Sequence, residues 1–405
     1  RRFWHPVLLS EELPEPDCPP KRTRILGEDL IAFRDTNGDV GLVDNYCPHR
    51  RASLFFGRNE ECGIRCVYHG WKFDINGDCV DMPSEPTESN FKDKVKIKAY
   101  RCQERNGIVW TYMGPREVPP PLPELEGNMH DSYNITVLYR PINWMQGLEG
   151  EMDTLHVTFL HLGHLNANNT EPGSFNHTQA TMREGKFDVR ETPHGTSYGM
   201  VRPTPDGENY WRVGHILFPF YAMVPGIENP LGANASFIAY VPMDDHHVLE
   251  WGVRAMKPGE IPNDNLRDYL PNGSDWYSRY NITQNYANDF LIDREAQRNN
   301  ESFTGITGIR QQDMAMTESM GSIYDRTKEH LGTTDQMIIK TRRRYIAAAR
   351  ALAEDGTPPP GVDTPSAYHQ RSGQTALSQN VDWWEATKEV REQFNPDGMV
   401  MEPSG

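Results

Sequence analysis

Short apolar runs broken by Gly, Asp and Asn fill the first part of the chain: Ile31-Ala-Phe33, a turn at Asp35-Thr-Asn-Gly38, Val40-Gly-Leu-Val43 and, later, Gly107-Ile-Val-Trp-Thr-Tyr112. Strand-length runs punctuated by turn residues predict a compact all-β module over residues 1–118. The Pro-rich stretch Pro115 to Pro123 reads as its linker. Beyond it the period changes. A helical pattern covers 142–160, β-prone runs occupy 196–225 and 235–256, and further helices are expected at 264–270, 275–299 and 334–353. In the last of these Met337, Ile338, Ile339, Tyr345, Ile346, Ala349 and Leu352 recur at roughly helical spacing, while Lys340, Arg342, Arg343 and Arg344 mark a wet face. This makes 119–355 an α+β domain. The tail 356–405, with Pro358-Pro-Pro360, is expected to pack as an extension over that domain's surface without forming core.

Composition narrows the function. A chain of 405 residues suits two or three domains at ~150 residues each. No uncharged apolar run approaches the ~20 residues that cross a bilayer, so a membrane protein is not expected. The formal charge of −16, with no block of Lys and Arg, argues against nucleic acid and anionic lipid as partners. Six cysteines without a secretory segment at the start point to a reducing, cytoplasmic compartment. The chain opens on Arg1, not Met, which leaves room for residues ahead of it.

Two loops carry paired metal ligands, Cys47-Pro-His49 and, sixteen residues after His49, Arg65-Cys66-Val-Tyr-His69-Gly-Trp71. Four such ligands fit either a tetrahedral Cys2His2 zinc site or a Rieske [2Fe–2S] centre, with two thiolates on one iron and two imidazoles on the other. The order Cys-x-His, Cys-x-x-His departs from zinc fingers.

A second polar constellation follows. Asn143, Gln146, Glu149, Asp153 and His156 succeed each other at intervals of 3, 3, 4 and 3, so on one continuous helix they share a face and need an internal partner such as a metal. His156 and His161 are five apart, which requires a local distortion or a helix end if both are to reach one ion. Two imidazoles and one carboxylate on Fe(II) leave positions open for O2. The carboxylate candidates are Asp293, Asp313, Asp325 and Asp335.

The segments Cys47–Leu54, Cys66–Trp71, Asn143–Gly150 with the following histidines, and Gly308–Gly321 resemble the α (terminal oxygenase) subunits of Rieske non-haem iron aromatic ring-hydroxylating oxygenases, in the phthalate-dioxygenase-like branch. The resemblance implies an N-terminal all-β Rieske domain and a C-terminal helix-grip (START-like) antiparallel-sheet catalytic domain. It implies a [2Fe–2S] cluster on Cys47, His49, Cys66 and His69, with the histidine side nearer the surface, and mononuclear Fe(II) on His156, His161 and Asp313. Asp153 would orient His156 and bridge electrons to that iron from His69 of a neighbouring subunit, because the two centres of one subunit lie too far apart. Asn143 and Gln146 join it as catalytic residues. His164 is assigned to the substrate pocket, with Phe218, Phe220, Met223 and Phe237 as apolar wall candidates.

The resemblance further implies a bacterial enzyme that uses O2 and electrons from NAD(P)H, delivered by a separate flavin/[2Fe–2S] reductase. Its expected substrate is an aromatic acid or aryl ether, converted by cis-dihydroxylation or by monooxygenation with O-dealkylation. The expected assembly is a homotrimer or stacked trimers. Two alternatives are a Rieske electron carrier fused to a hydrophobic-ligand-binding domain without oxygenase activity, and a zinc-stabilised binding module.

Overall fold

A computed structural model describes the chain except residues 87, 163–169, 173, 205–206, 227–228, 258, 262–265 and 398–405. Two compact units emerge. The first comprises Arg1–Leu122 with Val241–Asp244 and Gly273–Arg279, so two late segments join the N-terminal module beyond the expected 1–118. The second comprises Pro123–Tyr240, Asp245–Asn272 and Tyr280–Gly405.

The first unit contains β1 (Trp4–Leu9), β2 (Lys21–Ile25), β3 (Glu28–Arg34), β4 (Val40–Asp44), β5 (Arg58–Asn59), β6 (Ile64–Arg65), β7 (Lys72–Phe73), β8 (Cys79–Asp81), β9 (Ala99–Arg105) and β10 (Ile108–Tyr112). They form a six-stranded sheet ordered β1-β10-β9-β4-β3-β2 and a small sheet ordered β5-β6-β7-β8. Alternating residues of β3 and β4 send Ile31, Phe33 and Val43 into one core with Leu54, Ile64, Trp71 and Phe73. Cys47 and Cys66 belong to this core, so the two ligand loops are anchored by their cysteines.

In the second unit the strands are β11 (Tyr133–Arg140), β12 (Lys186–Thr192), β13 (Gly195–Pro203), β14 (Glu208–Leu217), β15 (Tyr221–Met223), β16 (Ser236–Pro242), β17 (Val248–Ala255) and β18 (Gly373–Ser378). One sheet runs β11-β17-β16-β15-β14-β13-β12, with β18 paired to β14. The helices are α1 (Trp144–Met152), α2 (Val157–Leu160), α3 (Phe175–Thr181), α4 (Arg294–Arg298), α5 (Ile309–Ser319), α6 (Gln336–Glu354), α7 (Trp383–Ala386) and α8 (Lys388–Arg391). Helix α6 packs on the sheet through Met337, Ile338 and Thr341, with Thr341 Oγ1 2.7 Å from Thr196 Oγ1 and the Tyr345 ring stacked on Phe218 at 4.4 Å. The expected division of its faces is corrected, because Ile346 and Ala349 are exposed while Lys340 and Arg342 are drawn inward by Val189 O and Glu149. Among the described residues no helix is long and apolar enough to cross a membrane.

Four further expectations fail, the first two for local reasons. The helix over 142–160 stops at Met152, because Asp153 leaves helical geometry at φ −90°, ψ 85° and its carboxylate accepts the backbone N–H of Leu155 at 3.0 Å and of His156 at 3.3 Å. An aspartate that bonds nearby backbone in this way competes with the helix. The helix over 275–299 shrinks to α4 and a 3-10 turn at Tyr286–Leu291, since Asp289, Phe290 and Leu291 all have positive φ. The tail also does more than cover a surface. β18 extends the sheet, and Trp383 is buried against Trp211 and Val213. The helix expected at 264–270 falls partly outside the described residues, and Arg267–Leu270 is not helical.

Candidate active site: two metal centres and a cavity

In the first unit the ligand loops are closed by backbone bonds, Cys47 N–H to Ala52 O at 2.9 Å and Cys66 N–H to Trp71 O at 2.8 Å. Gly70 turns the second loop at φ 81°, where a Cβ would strike Pro83 Cγ at 2.5 Å. The thiols point inward and the imidazoles outward: Cys47 and Cys66 are buried, His49 is exposed and His69 half-buried. The His49 and His69 rings meet edge to face at 4.4 Å, and His49 stacks on Trp71 at 4.5 Å. Burial, reinforced by the adjacent Cys66 thiol, pushes the Cys47 thiol up to about 11; a metal that binds the thiolate must reverse that shift.

Among the described residues, the one group of three or more His, Cys or acidic side chains with ligand atoms all within 4.8 Å of one another lies elsewhere, at His156, His161 and Asp313. No three of the four loop ligands therefore converge on one point. A single tetrahedral zinc would draw all four ligand atoms to about 4 Å of each other. Paired thiols and paired imidazoles that stay apart fit a two-iron cluster.

In the second unit, α2 is a single turn with His156 at its N-terminal cap and His161 at its C-terminal cap. Asp313 lies inside α5, and its Oδ1 sits 3.3 Å from His156 Nε2 and 3.2 Å from His161 Nε2. Burial opposes the Asp313 charge, but hydrogen bonds from His156 and His161 overcome it and hold the carboxyl well below the usual range. His156 shows the reciprocal balance: burial lowers it, the Asp313 hydrogen bond raises it, and the net shift is upward. The two ring orientations are fixed from behind. His156 Nδ1 meets the Asp153 main-chain oxygen, and His161 Nδ1 meets Gln312 Oε1 at 2.7 Å. Gln312 is oriented in turn, because its Nε2 donates to Thr304 Oγ1 at 3.0 Å and Ile306 O at 2.8 Å.

Several expected roles are corrected. The His156 ring is held by the Asp153 carbonyl, since the carboxylate is engaged by backbone N–H groups. Asn143 caps α1 and donates to Asp245 O, Gln146 donates to Thr317 O at 2.7 Å and Gly321 O at 2.8 Å, and neither lines the cavity beside His156 and His161. Glu149 is taken by Arg326, Arg342 and Tyr324. The alternative acids are occupied: Asp293 and Asp325 cap the turns that follow them, and Asp335 accepts the Gly332 N–H at 2.6 Å. His164 lies outside the described residues.

A cavity of about 510 Å³ opens on the His156, His161 and Asp313 group. Its apolar wall includes Val157, Phe159, Leu160, Met316 and Met320. Phe218, Phe220, Met223 and Phe237 are core instead, because Phe218 packs under Tyr345 while Phe220 and Phe237 pack on Tyr221. Three arginines reach the cavity wall. Arg140 is matched by Glu250 and Glu318, and Arg310 by Glu151 and Glu250. Arg212 differs: it is buried and donates to Thr154 Oγ1, Gln179 Oε1 and Pro225 O, each at 2.8 Å, and no carboxylate among the described residues pairs with it. Sequence reasoning missed Gln312 and Arg212. Arg212 did leave a signal, as a lone cation in the apolar run Trp211–Phe218.

Comparison with known proteins agrees with this geometry. Residues 3–101 match the family described as Rieske [2Fe-2S] domain, and residues 111–403 match LigXa C-terminal domain like. The chain is 44% identical to a 3-chlorobenzoate-3,4-dioxygenase oxygenase subunit of Comamonas testosteroni, over 95% of this chain and 92% of the relative. It is 38% identical to a phthalate 4,5-dioxygenase oxygenase subunit of Pseudomonas putida, over 95% and 89%. The crystal structure of dicamba monooxygenase bound to dicamba shares the fold, with a TM-score of 0.59 at 16% identity, covering 87% of this chain and 98% of that one.

Proposed function

The chain belongs to the Rieske oxygenases whose N-terminal Rieske [2Fe-2S] domain is followed by a LigXa-like C-terminal domain, and on that premise we propose that it dihydroxylates an aromatic carboxylate. It is the terminal oxygenase component of such a system, dependent on O2 and on electrons from a redox partner protein. When bound, a Rieske cluster on Cys47, His49, Cys66 and His69 supplies single electrons, and ferrous iron on His156, His161 and Asp313 supplies O2 chemistry.

The chain's own residues do the rest. The Asp153 carbonyl and the Gln312 amide oxygen take the Nδ1–H of His156 and His161, which keeps each Nε2 lone pair directed to the side of Asp313. Val157, Phe159, Leu160, Met316 and Met320 exclude water and offer an apolar bed to a flat ring. The observation that carries the substrate assignment is Arg212, a buried guanidinium on the cavity wall with no carboxylate partner among the described residues. A buried cation of this kind is completed by an anionic ligand group. The Comamonas and Pseudomonas relatives are named for acids that bear one.

Electron delivery is assigned to a separate flavin/[2Fe–2S] reductase fed by NAD(P)H. A ring of three subunits, in which Asp153 of one protomer meets the partner's His69, is part of the same proposal, and sedimentation tests it. For the reaction, purified holoprotein is supplied with reductase, NADH and a panel of benzoates, phthalates and methoxyarenes. Substrate-dependent O2 uptake with diol formation is expected for the acids. Formaldehyde release in place of a diol would redirect the proposal to ether cleavage, and no uptake with any acid would refute it.

A further inference from the structure

Tyr198 on β13 lies directly opposite Gly214 on β14, and its ring fills the space that a side chain at 214 would take: a Cβ there would sit 2.6 Å from Cε1, Cζ and the hydroxyl oxygen. The absent side chain lets the ring lie across the neighbouring strand. Tyr198 is fully buried and lines the cavity, yet among the described residues its hydroxyl completes no hydrogen bond; the Thr154 hydroxyl lies near enough to interact with it without completing one. The nearby Thr154 hydroxyl is engaged by Arg212 Nε at 2.8 Å. Burial pushes the phenol up to about 12, so it remains a neutral donor at working pH.

The strand register sets what that hydroxyl faces. Residues two apart on a strand share a face, and Met200 pairs with Arg212, so Arg212 lies on the Tyr198 side of the sheet. Arg202 is next on the same face, fully buried, with both terminal nitrogens unpartnered. The cavity wall at Arg212 and Tyr198 thus offers positive charge and a donor, while Arg202 adds charge to the same face of the sheet without lining the cavity. A buried hydroxyl without a partner is costly, and an acceptor on the cavity's occupant removes that cost.

We propose that Tyr198 is a specificity-determining residue whose hydroxyl donates to the anionic group held by Arg212, so that the site selects an aromatic carboxylate over the neutral ester of the same shape. This rests on the carboxylate reading above. A site built to hydrogen-bond a group discriminates strongly against analogues that lack it.

The test is calorimetric titration of wild-type, Tyr198→Phe and Arg212→Gln holoprotein with 3-chlorobenzoate, phthalate and methyl 3-chlorobenzoate, together with steady-state kinetics on any acid turned over. Tyr198→Phe is expected to weaken both acids about tenfold while the ester stays within about twofold, with the kinetic loss appearing in KM more than in kcat. Its Tm is expected not to fall, because the hydroxyl completes no hydrogen bond among the described residues that could be lost. Acid affinity equal to wild type, equal losses for acid and ester, or a lowered Tm would each overturn the proposal. If Arg212→Gln loses the acids while Tyr198→Phe keeps them, the carboxylate reading stands and this one falls. If the wild type binds neither acid, both fall.

Discussion

Replacing Gln312 by leucine isolates the support behind one proposed iron ligand, His161, without touching the proposed ligand set. Gln312 is 3% exposed and makes three directed bonds: Oε1 accepts from His161 Nδ1 at 2.7 Å, and Nε2 donates to Thr304 Oγ1 at 3.0 Å and Ile306 O at 2.8 Å. Leucine fills similar space but leaves the His161 ring free to rotate and to carry its proton on either nitrogen. Loss of such a partner costs roughly 10–100-fold in metal affinity, or about 1.4–2.8 kcal/mol at about 1.4 kcal/mol per decade. The fold should also lose about 2–4 kcal/mol, from the Nε2 bonds and the unpaired Ile306 carbonyl. Equilibrium dialysis of Fe(II) into protein stripped of its mononuclear iron reads the affinity, while the visible spectrum reports the cluster. The expected outcome is an unchanged spectrum with two cluster irons kept and the third bound 10–100-fold more weakly. Gln312→Glu, which preserves an acceptor for His161, should recover part of the affinity. Wild-type iron affinity in Gln312→Leu would refute the claim that Gln312 fixes the ligand tautomer.

Asp153→Asn retains an oxygen acceptor for the Leu155 and His156 N–H groups, so the fold and the cluster spectrum should survive while turnover collapses; normal turnover would remove Asp153 from the electron path. Asp313→Ala should release the mononuclear iron alone, and metal analysis that still finds about three irons per chain would assign the third ligand elsewhere. In metal-free protein Asp313 is held below its ordinary 3.8 and His156 above its ordinary 6.5. The aspartate's contribution is therefore lost as pH falls through its lowered value, and the histidine's as pH rises through its raised value. The Tm difference between metal-free wild type and Asp313→Ala should peak between about pH 4 and 6.5; a difference still growing at pH 8 would contradict the pairing. Glu149→Gln should destabilise the protein by about 3 kcal/mol in urea titration, because a buried carboxylate shared by Arg326 and Arg342 is lost. A loss below 1 kcal/mol would mean the pair contributes little, as surface ion pairs do.

Much of the fold was legible because its signals are local. The turn Asp35–Gly38, the runs that became β3, β4 and β10, and the existence of helix α6 all follow from neighbours in sequence. The cluster loops were legible for the same reason, since each carries its own Cys and His within four residues. What escaped depends on distant partners. The periodic stripe Asn143, Gln146 and Glu149 looked like a metal face, yet Gln146 is satisfied by Thr317 and Gly321, and Glu149 by Arg326 and Arg342. Arg212 takes its setting from Thr154, Gln179 and Pro225, all remote in sequence. Tyr198 gains its meaning from a glycine on the next strand.

The most instructive miss is the helix drawn through 142–160, because its failure is what makes the iron site possible. On a continuous helix, residues five apart are separated by about 140° around the axis, so His156 and His161 would face different ways. Asp153 prevents that arrangement. Its carboxylate captures the N–H groups of Leu155 and His156 and its carbonyl holds the His156 ring, so α1 ends and a single turn restarts between the two histidines. With each histidine at an end of that turn, both Nε2 atoms come within 3.3 Å of one Asp313 oxygen. Local propensity and the functional geometry disagree at this point, as expected where chemistry and not stability sets the backbone. The same residue thus breaks the helix, orients the His156 ring and stands on the wall of the cavity beside it.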